Sequence, residues 1–264
     1  MSTRDALAIT MVISRKLRQF LLYLIVLLVC FGTVEGRTAD SMAELKSRAR
    51  DYYFGLGVPK DYNRALSLYL QAADRGDPGA QYIAGGMYFK GQGTAVDYKK
   101  AFEMLYAAAK NGKSTVESQK VIGQSFLLGR GVPKSYTDAL RWYKMASENG
   151  DRDAQNELAF LYAVGNGVEQ DHIKAYELFK EAALGGLPLA QYNVGIMLYS
   201  GNGVPSADLP GAYAWFSLAA ANGHEQAILA QQFLESILSR EEVLQAQAKA
   251  KSLYDALHSS TGQR

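Results

Sequence analysis

A Gly-x-Gly turn returns five times along this chain at a nearly constant interval. Its first glycines are spaced 36, 38, 36 and 36 residues apart, at Gly55, Gly91, Gly129, Gly165 and Gly201. Such an interval is typical of a repeat protein, in which each copy forms one small unit and successive units stack. The 264 residues and the 48% hydrophobic content allow either one elongated or two compact domains. The repeat favours one elongated domain.

A helical pattern follows each turn. An alanine recurs at a fixed place, with a large apolar residue four positions later and a second alanine seven positions later, as in Ala65, Tyr69 and Ala72. These offsets place all three side chains on one face of a helix. Eleven residues after the first alanine comes a glycine, which predicts a left-handed C-terminal cap. These glycines are Gly76, Gly112, Gly150, Gly186 and Gly223.

A second helix precedes each turn, and one position near its middle is always small. The small residues are Ala49, Gly85, Gly123, Ala159 and Gly195, and the large residues of the other helix are Tyr69, Leu105, Tyr143, Phe179 and Phe216. Glycine inside a helix costs about 1 kcal/mol relative to alanine, so its repeated use indicates that another backbone approaches closely. The two columns predict two antiparallel helices packed knob into hole.

The combined pattern, AQYxxGxxYxxGxGVxxDYxKAxxWYxxAAxxG, resembles the Sel1-like repeat, a relative of the tetratricopeptide repeat. Five copies lie between residues 41 and 225, which is about 70% of the chain. The resemblance implies an all-α fold, an αα-hairpin solenoid coiled into a right-handed superhelix, of a kind usually used to hold proteins together. Terminal repeats of a solenoid must face water, so we expect C-terminal capping helices at 226–258 and a disordered tail at 259–264. Ser239 and Glu242 fit a capping box at the start of the last helix.

Residues 1–36 predict a signal peptide or a membrane anchor. Residues 20–31 are twelve apolar positions without a charge, and they follow the basic residues Arg15, Lys16 and Arg18. A bilayer-spanning helix needs about 20 apolar residues, whereas a signal-peptide core needs about 7–15. We therefore expect an exported protein, periplasmic or secreted, with a possible transient or permanent tether to the membrane through residues 20–31.

Two alternatives for this segment remain open. It could be an uncleaved inner-membrane anchor with the repeats outside the cytoplasm, or Cys30 could be the acylation site of a lipoprotein. Met1 and Met11 are both plausible starts, and cleavage after Gly36 would leave small residues before the cut. Removing residues 1–36, which hold four basic and two acidic residues, takes the net charge from +2 to zero.

The chemistry-bearing residues of this chain form no catalytic, cofactor or metal motif. The Gly-x-Gly turn joins two helices, whereas a phosphate-binding glycine loop follows a strand. His224 and Glu225 begin like a zinc-protease helix, but Ile228 stands where the second histidine belongs. His172 occupies a slot held by tyrosines in other copies and is expected to pack there. We therefore expect no enzyme activity, no cofactor and, given the near-zero charge, no nucleic-acid partner.

The positions that vary between copies are the candidates for binding. In each pair, the first helix is the one that precedes the Gly-x-Gly turn. Offsets 2, 6 and 9 from the alanine position near its start lie on one face, which we call the first-helix stripe. Its candidate partner-binding residues are Arg50, Tyr53, Tyr82, Phe89, Leu127, Phe160, Tyr192, Ile196 and Tyr199. The resemblance implies that first helices line the concave surface. The alternative is that much of the stripe packs against neighbouring repeats.

These features together predict an exported, noncatalytic scaffold that binds other proteins or peptide segments in the cell envelope. It would be an adaptor or regulator of a bacterial envelope, surface-polymer or host-interaction complex. One alternative is a cell-wall or carbohydrate-binding module that stacks sugars on Tyr82, Phe89, Tyr192 and Tyr199. A second is a β-lactam hydrolase-like enzyme, since some secreted relatives have been linked to that activity. Those relatives carry a cysteine pair in each repeat, whereas this chain has a single cysteine and no Ser-x-x-Lys.

Overall fold

The computed structural model describes residues 40–259, which form twelve α-helices and no strand. The helices are α1 (Met42–Phe54), α2 (Tyr62–Asp74), α3 (Pro78–Lys90), α4 (Tyr98–Lys110), α5 (Val116–Leu128), α6 (Tyr136–Glu148), α7 (Arg152–Val164), α8 (His172–Leu184), α9 (Pro188–Ser200), α10 (Leu209–Ala221), α11 (Glu225–Ile237) and α12 (Arg240–Ser259). Each odd-numbered helix from α1 to α9 packs against the even-numbered helix after it, and successive pairs stack. The all-α solenoid of helix pairs is confirmed.

Short-range capping sets the ends of these helices. Asp61 lies just before α2, and its carboxylate accepts a hydrogen bond from the backbone N–H of Arg64 at 3.0 Å. The predicted cap glycines all adopt a left-handed conformation, with φ between +82° and +89°. Each follows the last helical residues of α2, α4, α6, α8 or α10 and turns the chain toward the next pair. The predicted left-handed caps are therefore confirmed.

The small and large columns meet inside each pair. A Cβ atom added to Gly123 would lie 3.1 Å from the Tyr143 ring, and one added to Gly195 would lie 2.4 Å from the Phe216 ring. Real Cβ atoms essentially never approach as closely as 2.4 Å and rarely approach to 3.1 Å, so glycine at these positions is what lets the two helices come together. The predicted knob-into-hole packing is confirmed.

The second glycine of each turn makes the contact between successive repeats. In copies two to five, a Cβ atom added there would lie 2.1–2.6 Å from the backbone at the start of the preceding repeat's second helix; for Gly93 the nearest atom is the Tyr62 carbonyl oxygen, at 2.3 Å. In the first copy, a Cβ on Gly57 would meet nothing within 4 Å, because no repeat within residues 40–259 precedes it. His172 takes the same place as Tyr62 in its own copy, with its carbonyl oxygen against Gly203.

Buried glutamines also hold successive repeats together. Gln191 is fully buried; its side-chain amide donates to the Ala183 carbonyl at 3.3 Å, and its oxygen accepts from Asn222 at 3.2 Å. One side chain thereby joins α8, α9 and α10. Gln81 makes the equivalent bonds to Ala73 and Asn111 in the second copy.

The C-terminal end departs from the repeat. Ser239 and Glu242 form reciprocal hydrogen bonds at the start of α12, the Ser239 N–H donating to the Glu242 carboxylate at 2.8 Å. This helix packs mainly on α10 and makes little contact with α11. Gln232, which stands in the small column of α11, is therefore exposed, since no helix approaches it.

Several expectations fall on residues outside the described range. The export segment at 1–36, with its apolar run at 20–31, and residues 260–264 of the tail all lie there. Within 40–259, no helix combines the length and the apolar character that crossing a bilayer requires.

Candidate functional site

The first-helix stripe borders two adjoining hollows. The first, which we call the aromatic hollow, has a volume of about 240 Å³ and lies between α1, α3 and α5. Tyr53, Tyr82 and Phe89 of the stripe line it, together with apolar side chains of α3, α4 and α5. α4 and α5 contact each other less extensively than the other helices that join successive repeats. The connection between these two helices is the one with two extra residues, around Lys113.

Gly86 contributes to the aromatic hollow by having no side chain. It lies near the middle of α3, lines the hollow, and a Cβ atom added to it would meet nothing within 4 Å. Unlike the cap and turn glycines, it does not adopt a left-handed conformation. No close backbone approach therefore requires glycine here; a single methyl group has open space, whereas a large side chain would project into the hollow.

The second hollow, which we call the charged hollow, has a volume of about 580 Å³ and lies between α5 and α7. It shares the Phe89 side chain with the aromatic hollow and is also lined by Leu127 of the stripe. Its polar wall consists of Glu117, Lys120, Gln124, Asp153 and Glu157. The two hollows therefore form one continuous surface with an apolar part and a charged part.

Lys120 is held by the carboxylates around it. Its Nζ lies 3.0 Å from Asp153, 3.2 Å from Asp151 and 3.5 Å from Glu117. Partial burial lowers the pKa of Lys120, but hydrogen bonds to Asp153 and Asp151 outweigh that effect and hold the pKa well above its ordinary value. The ammonium group is therefore charged and fully engaged.

Glu157 is the exceptional acid of the charged hollow. Burial raises the pKa of its carboxyl, the nearby Asp153 raises it further, and a hydrogen bond with Asn156 only partly offsets both. No lysine, arginine or histidine of residues 40–259 lies within 4 Å of its carboxylate. A half-buried carboxylate without a cation is thus exposed to this hollow.

The remaining candidates divide into exposed and packed residues. Phe160, Ile196 and Tyr199 are 48%, 40% and 42% exposed. Tyr192 instead stacks on the His224 ring, with 4.6 Å between centroids, and packs against Phe216 at 5.5 Å. The exposed residues are available to a partner, whereas Tyr192 packs at the contact between α9 and the start of α11.

Arg50 stands alone at the N-terminal end of the stripe. Its guanidinium is well exposed and lies 3.8 Å from the carboxylate of Asp51. Exposed pairs of this kind contribute little to stability, so the side chain is free to reorient toward a partner. It lies outside the two sets of residues that line the hollows.

Five successive segments of the chain match the Sel1 repeat family: 49–77, 78–113, 116–151, 152–187 and 188–224. These segments cover more than half of the chain and coincide with the five helix pairs. The chain belongs to the Sel1 repeat family. Sel1 repeats generally serve as scaffolds for protein–protein interaction, and the fold is typically noncatalytic.

Two solved Sel1-type structures are similar to this Sel1 repeat chain over most of its length. One is c5321, described as a protective antigen present in uropathogenic Escherichia coli strains; it is 29% identical over 80% of this chain and 46% of that one, with a TM-score of 0.65. The other is a Sel1 repeat protein from Oxalobacter formigenes, 29% identical over 75% of this chain and 84% of that one, with a TM-score of 0.60.

Two curated relatives match shorter stretches of this Sel1 repeat chain. An uncharacterized protein of Neisseria meningitidis serogroup B is 33% identical over 110 residues, 42% of this chain and 22% of that protein. The DAP3-binding cell death enhancer 1 of Rattus norvegicus is 34% identical over 101 residues, 38% of this chain and 19% of that protein. The chain thus spans about a fifth of the length of these relatives.

Sequence reasoning missed three residues of this Sel1 repeat surface. Leu229 and Phe233 of α11 continue the stripe, are 66% and 51% exposed, and Phe233 meets the Tyr199 ring edge-on at 6.2 Å. The sequence indicated this continuation through Ala227, which is fully buried and stands at the position held by alanine near the start of earlier first helices. Glu157 stands one position beside the stripe, where α3 and α5 carry Ile83 and Val121. The available signal was a charge at a position that is apolar in α3 and α5 and uncharged in α1 and α9, which carry Ser47 and Asn193 there.

The histidines of the Sel1 repeats have structural places. His224 lies just before α11, and its Nδ1 accepts a hydrogen bond from the Ala227 backbone N–H at 3.3 Å. His224 is therefore the N-terminal cap of this helix. Within the described part of the chain, no group of three or more His, Cys, Asp or Glu side chains could hold a metal ion.

Proposed function

We propose that this Sel1 repeat protein is an exported, noncatalytic scaffold that binds a segment of another protein along the two hollows. The observation that carries the proposal is the continuous surface formed by the aromatic and charged hollows. It brings together stripe residues of successive repeats, with Tyr53, Tyr82 and Phe89 in one part and Leu127 in the other. A concave, mostly apolar site with a few polar groups is the usual form of a binding pocket.

The composition of the aromatic hollow supports a protein partner. Binding energy at protein interfaces comes mainly from a few large side chains that fill pockets, and aromatic residues are enriched among them. The exposed Phe160, Ile196 and Phe233 extend the apolar surface toward the C-terminal end. A partner segment anchored in the hollows would therefore find further apolar surface along the same helices.

The relatives support an interaction role. One carries binding to another protein in its name, and c5321 is described as a protective antigen. The N-terminal pattern of three basic residues and an uncharged apolar run supports export. We therefore propose an adaptor or regulator of an envelope, surface-polymer or host-interaction complex, with partners in the cell envelope.

Site-specific crosslinking in living cells tests the binding site. A photo-reactive amino acid replaces Phe89, which lies between the hollows, and crosslinked products are identified by mass spectrometry. We expect one dominant protein partner, lost when Gly86→Leu fills the aromatic hollow and retained with the matched Gly86→Ala. A crosslink that survives Gly86→Leu would place the binding surface elsewhere.

Mass spectrometry of the mature protein tests export. The intact protein from fractionated cells should lack residues 1–36 and should be released with the periplasmic or secreted fraction. A mature protein that keeps residues 20–31 and sediments with the inner membrane would support the anchored alternative. Cytoplasmic recovery of the full-length chain would contradict export altogether.

A carbohydrate ligand is the second candidate, and the three aromatic rings of the aromatic hollow favour it. Tyr53, Tyr82 and Phe89 would stack on sugar faces in that case. Tyr192 is a weaker platform than the sequence suggested, since its ring already stacks on His224. Cosedimentation with purified peptidoglycan, which Gly86→Leu abolishes, would favour this candidate over the protein partner.

A further inference from the structure

We propose that the partner segment carries a large apolar side chain, which fills the aromatic hollow, and an arginine or lysine about three residues away, which pairs with Glu157 in the charged hollow. This inference rests on the proposed function and adds the chemistry of the bound segment. It assigns Glu157 as the residue that selects a basic side chain.

The position of Glu157 in the repeat is the first argument. The equivalent residues of α3 and α5, Ile83 and Val121, line the aromatic hollow as apolar side chains. Replacing such a residue by a carboxylate costs solvation free energy unless a cation pairs with it. The raised pKa of Glu157 reflects the same unfavourable burial of its charged form. A partner's cation would remove the cost on binding.

The neighbouring charges supply the second argument. Lys120 cannot neutralise Glu157, since its ammonium group is already engaged by Asp151, Asp153 and Glu117. The charged hollow therefore carries more negative than positive side chains. The aromatic hollow, by contrast, has one cation and one acid in its wall, Lys90 and Glu117, so its charge balances. A basic side chain of the partner is thus attracted more strongly to the charged hollow than to the aromatic one.

The charge distribution along the whole solenoid points the same way. Residues 40–150 contain 16 basic and 11 acidic residues, whereas residues 151–259 contain 6 basic and 13 acidic residues. Glu157 lies in the first helix of the negative half. The field of that half favours a positive group approaching the surface between α5 and α7.

The geometry sets the spacing of the two partner side chains. The hollows share Phe89 and are displaced by about one helix spacing, which is on the order of 10 Å. An extended chain advances about 3.3 Å per residue, so the two anchors are about three residues apart. Arginine fits best, because its planar guanidinium can contact the Phe89 ring while it pairs with a carboxylate.

Selection from a random peptide library tests the assignment. Twelve-residue peptides displayed on phage are selected in parallel on the full-length wild-type chain, on Glu157→Gln, on Gly86→Leu and on Gly86→Ala. We expect wild type and Gly86→Ala to enrich an aromatic residue or leucine two to four positions from arginine or lysine. Selection on Glu157→Gln should keep the apolar preference and lose the basic one.

A binding measurement then joins the two side chains. A synthetic peptide of the selected sequence should bind wild type at least about tenfold more tightly than its Arg→Gln variant, as expected for one charged hydrogen-bonded pair. On Glu157→Gln the two peptides should bind equally. Equal binding to wild type, or an unchanged arginine preference on Glu157→Gln, would overturn the assignment of Glu157.

The outcomes separate this inference from the proposed function. Peptides that compete for the hollows and are lost on Gly86→Leu, but carry no basic residue, would refute the inference and leave the protein-binding groove intact. Enrichment of acidic residues would refute it as well. If no selected peptide loses its binding on Gly86→Leu, both the inference and the proposed function are contradicted.

Discussion

The turn glycines of copy two offer a matched pair of substitutions. Gly93 and Gly112 both have left-handed backbones, with φ of +73° and +85°. A Cβ atom on Gly93 would lie 2.3 Å from the Tyr62 carbonyl oxygen, whereas one on Gly112 would meet nothing within 4 Å. Gly93→Ala and Gly112→Ala therefore share the conformational cost and differ in the contact between repeats.

The expected losses follow from this difference. Placing alanine in a left-handed conformation costs about 1–2 kcal/mol, which is the whole cost for Gly112→Ala. Gly93→Ala additionally forces a backbone shift at the junction between the first two copies, and overpacking of this kind adds about 1–3 kcal/mol. The free energy of unfolding should thus fall by about 2–5 kcal/mol for Gly93→Ala.

Urea denaturation followed by circular dichroism at 222 nm measures both losses. Gly57→Ala serves as a second control, because Gly57 also has a left-handed backbone with open space around it. The reasoning requires Gly57→Ala and Gly112→Ala to be similar and Gly93→Ala to be clearly worse. Equal losses for Gly93→Ala and Gly112→Ala would show that the second glycine is needed only for its conformation.

Three further substitutions test the packing and the electrostatics of the solenoid. Gly86→Ala should raise the free energy of unfolding by about 0.5–1 kcal/mol, since the residue is helical and has open space; urea titration that shows a loss would contradict the open hollow. Gln191→Ala should cost about 1–3 kcal/mol, because the buried Ala183 carbonyl and the Asn222 side chain both lose their bonds to it, and Gln155→Ala should cost clearly less, since Gly185 there has no side chain to donate; equal losses would refute the joining role of the glutamine. Glu157→Gln should stabilise the protein at pH 7, because burial raises the pKa of this carboxyl and its charged form is disfavoured on folding. That gain should vanish once the pH lies well below the ordinary glutamate pKa of about 4.3, where wild type is protonated in both the folded and the unfolded state; a gain that persists there would point to packing instead.

The helices and their pairing were readable from the sequence because they depend on local signals repeated five times. A small residue such as Gly123 faces a large residue such as Tyr143 in every copy, and the cap glycines end one helix of each pair in the same way. Because each pattern recurs in five copies, each copy supports the interpretation of the others. The stacking contact at Gly93 was not identified, because it joins a turn to a helix start 31 residues earlier and leaves no pattern within either element.

The candidate site was only partly predictable. Tyr53, Tyr82 and Phe89 of the stripe line one hollow, since consecutive first helices lie side by side. A stripe residue is accessible to a partner only where no other side chain packs over it. The Tyr192 ring is covered by His224, which lies just before α11. The aromatic hollow lies beside the junction where α4 and α5 contact each other less than other successive repeats do. In the sequence, the spacing of 38 instead of 36 residues indicated a longer connection at this point but not a hollow.

A crystal structure of the full-length chain with a peptide selected on it would test the binding groove most directly. We predict that the peptide lies across α1, α3, α5 and α7, with a large apolar side chain against Tyr82 and Phe89 in the aromatic hollow. We also predict that a guanidinium or ammonium group lies within about 3.2 Å of the Glu157 carboxylate, the upper limit of a good hydrogen bond. A peptide bound on the second helices, with both hollows empty, would contradict the account.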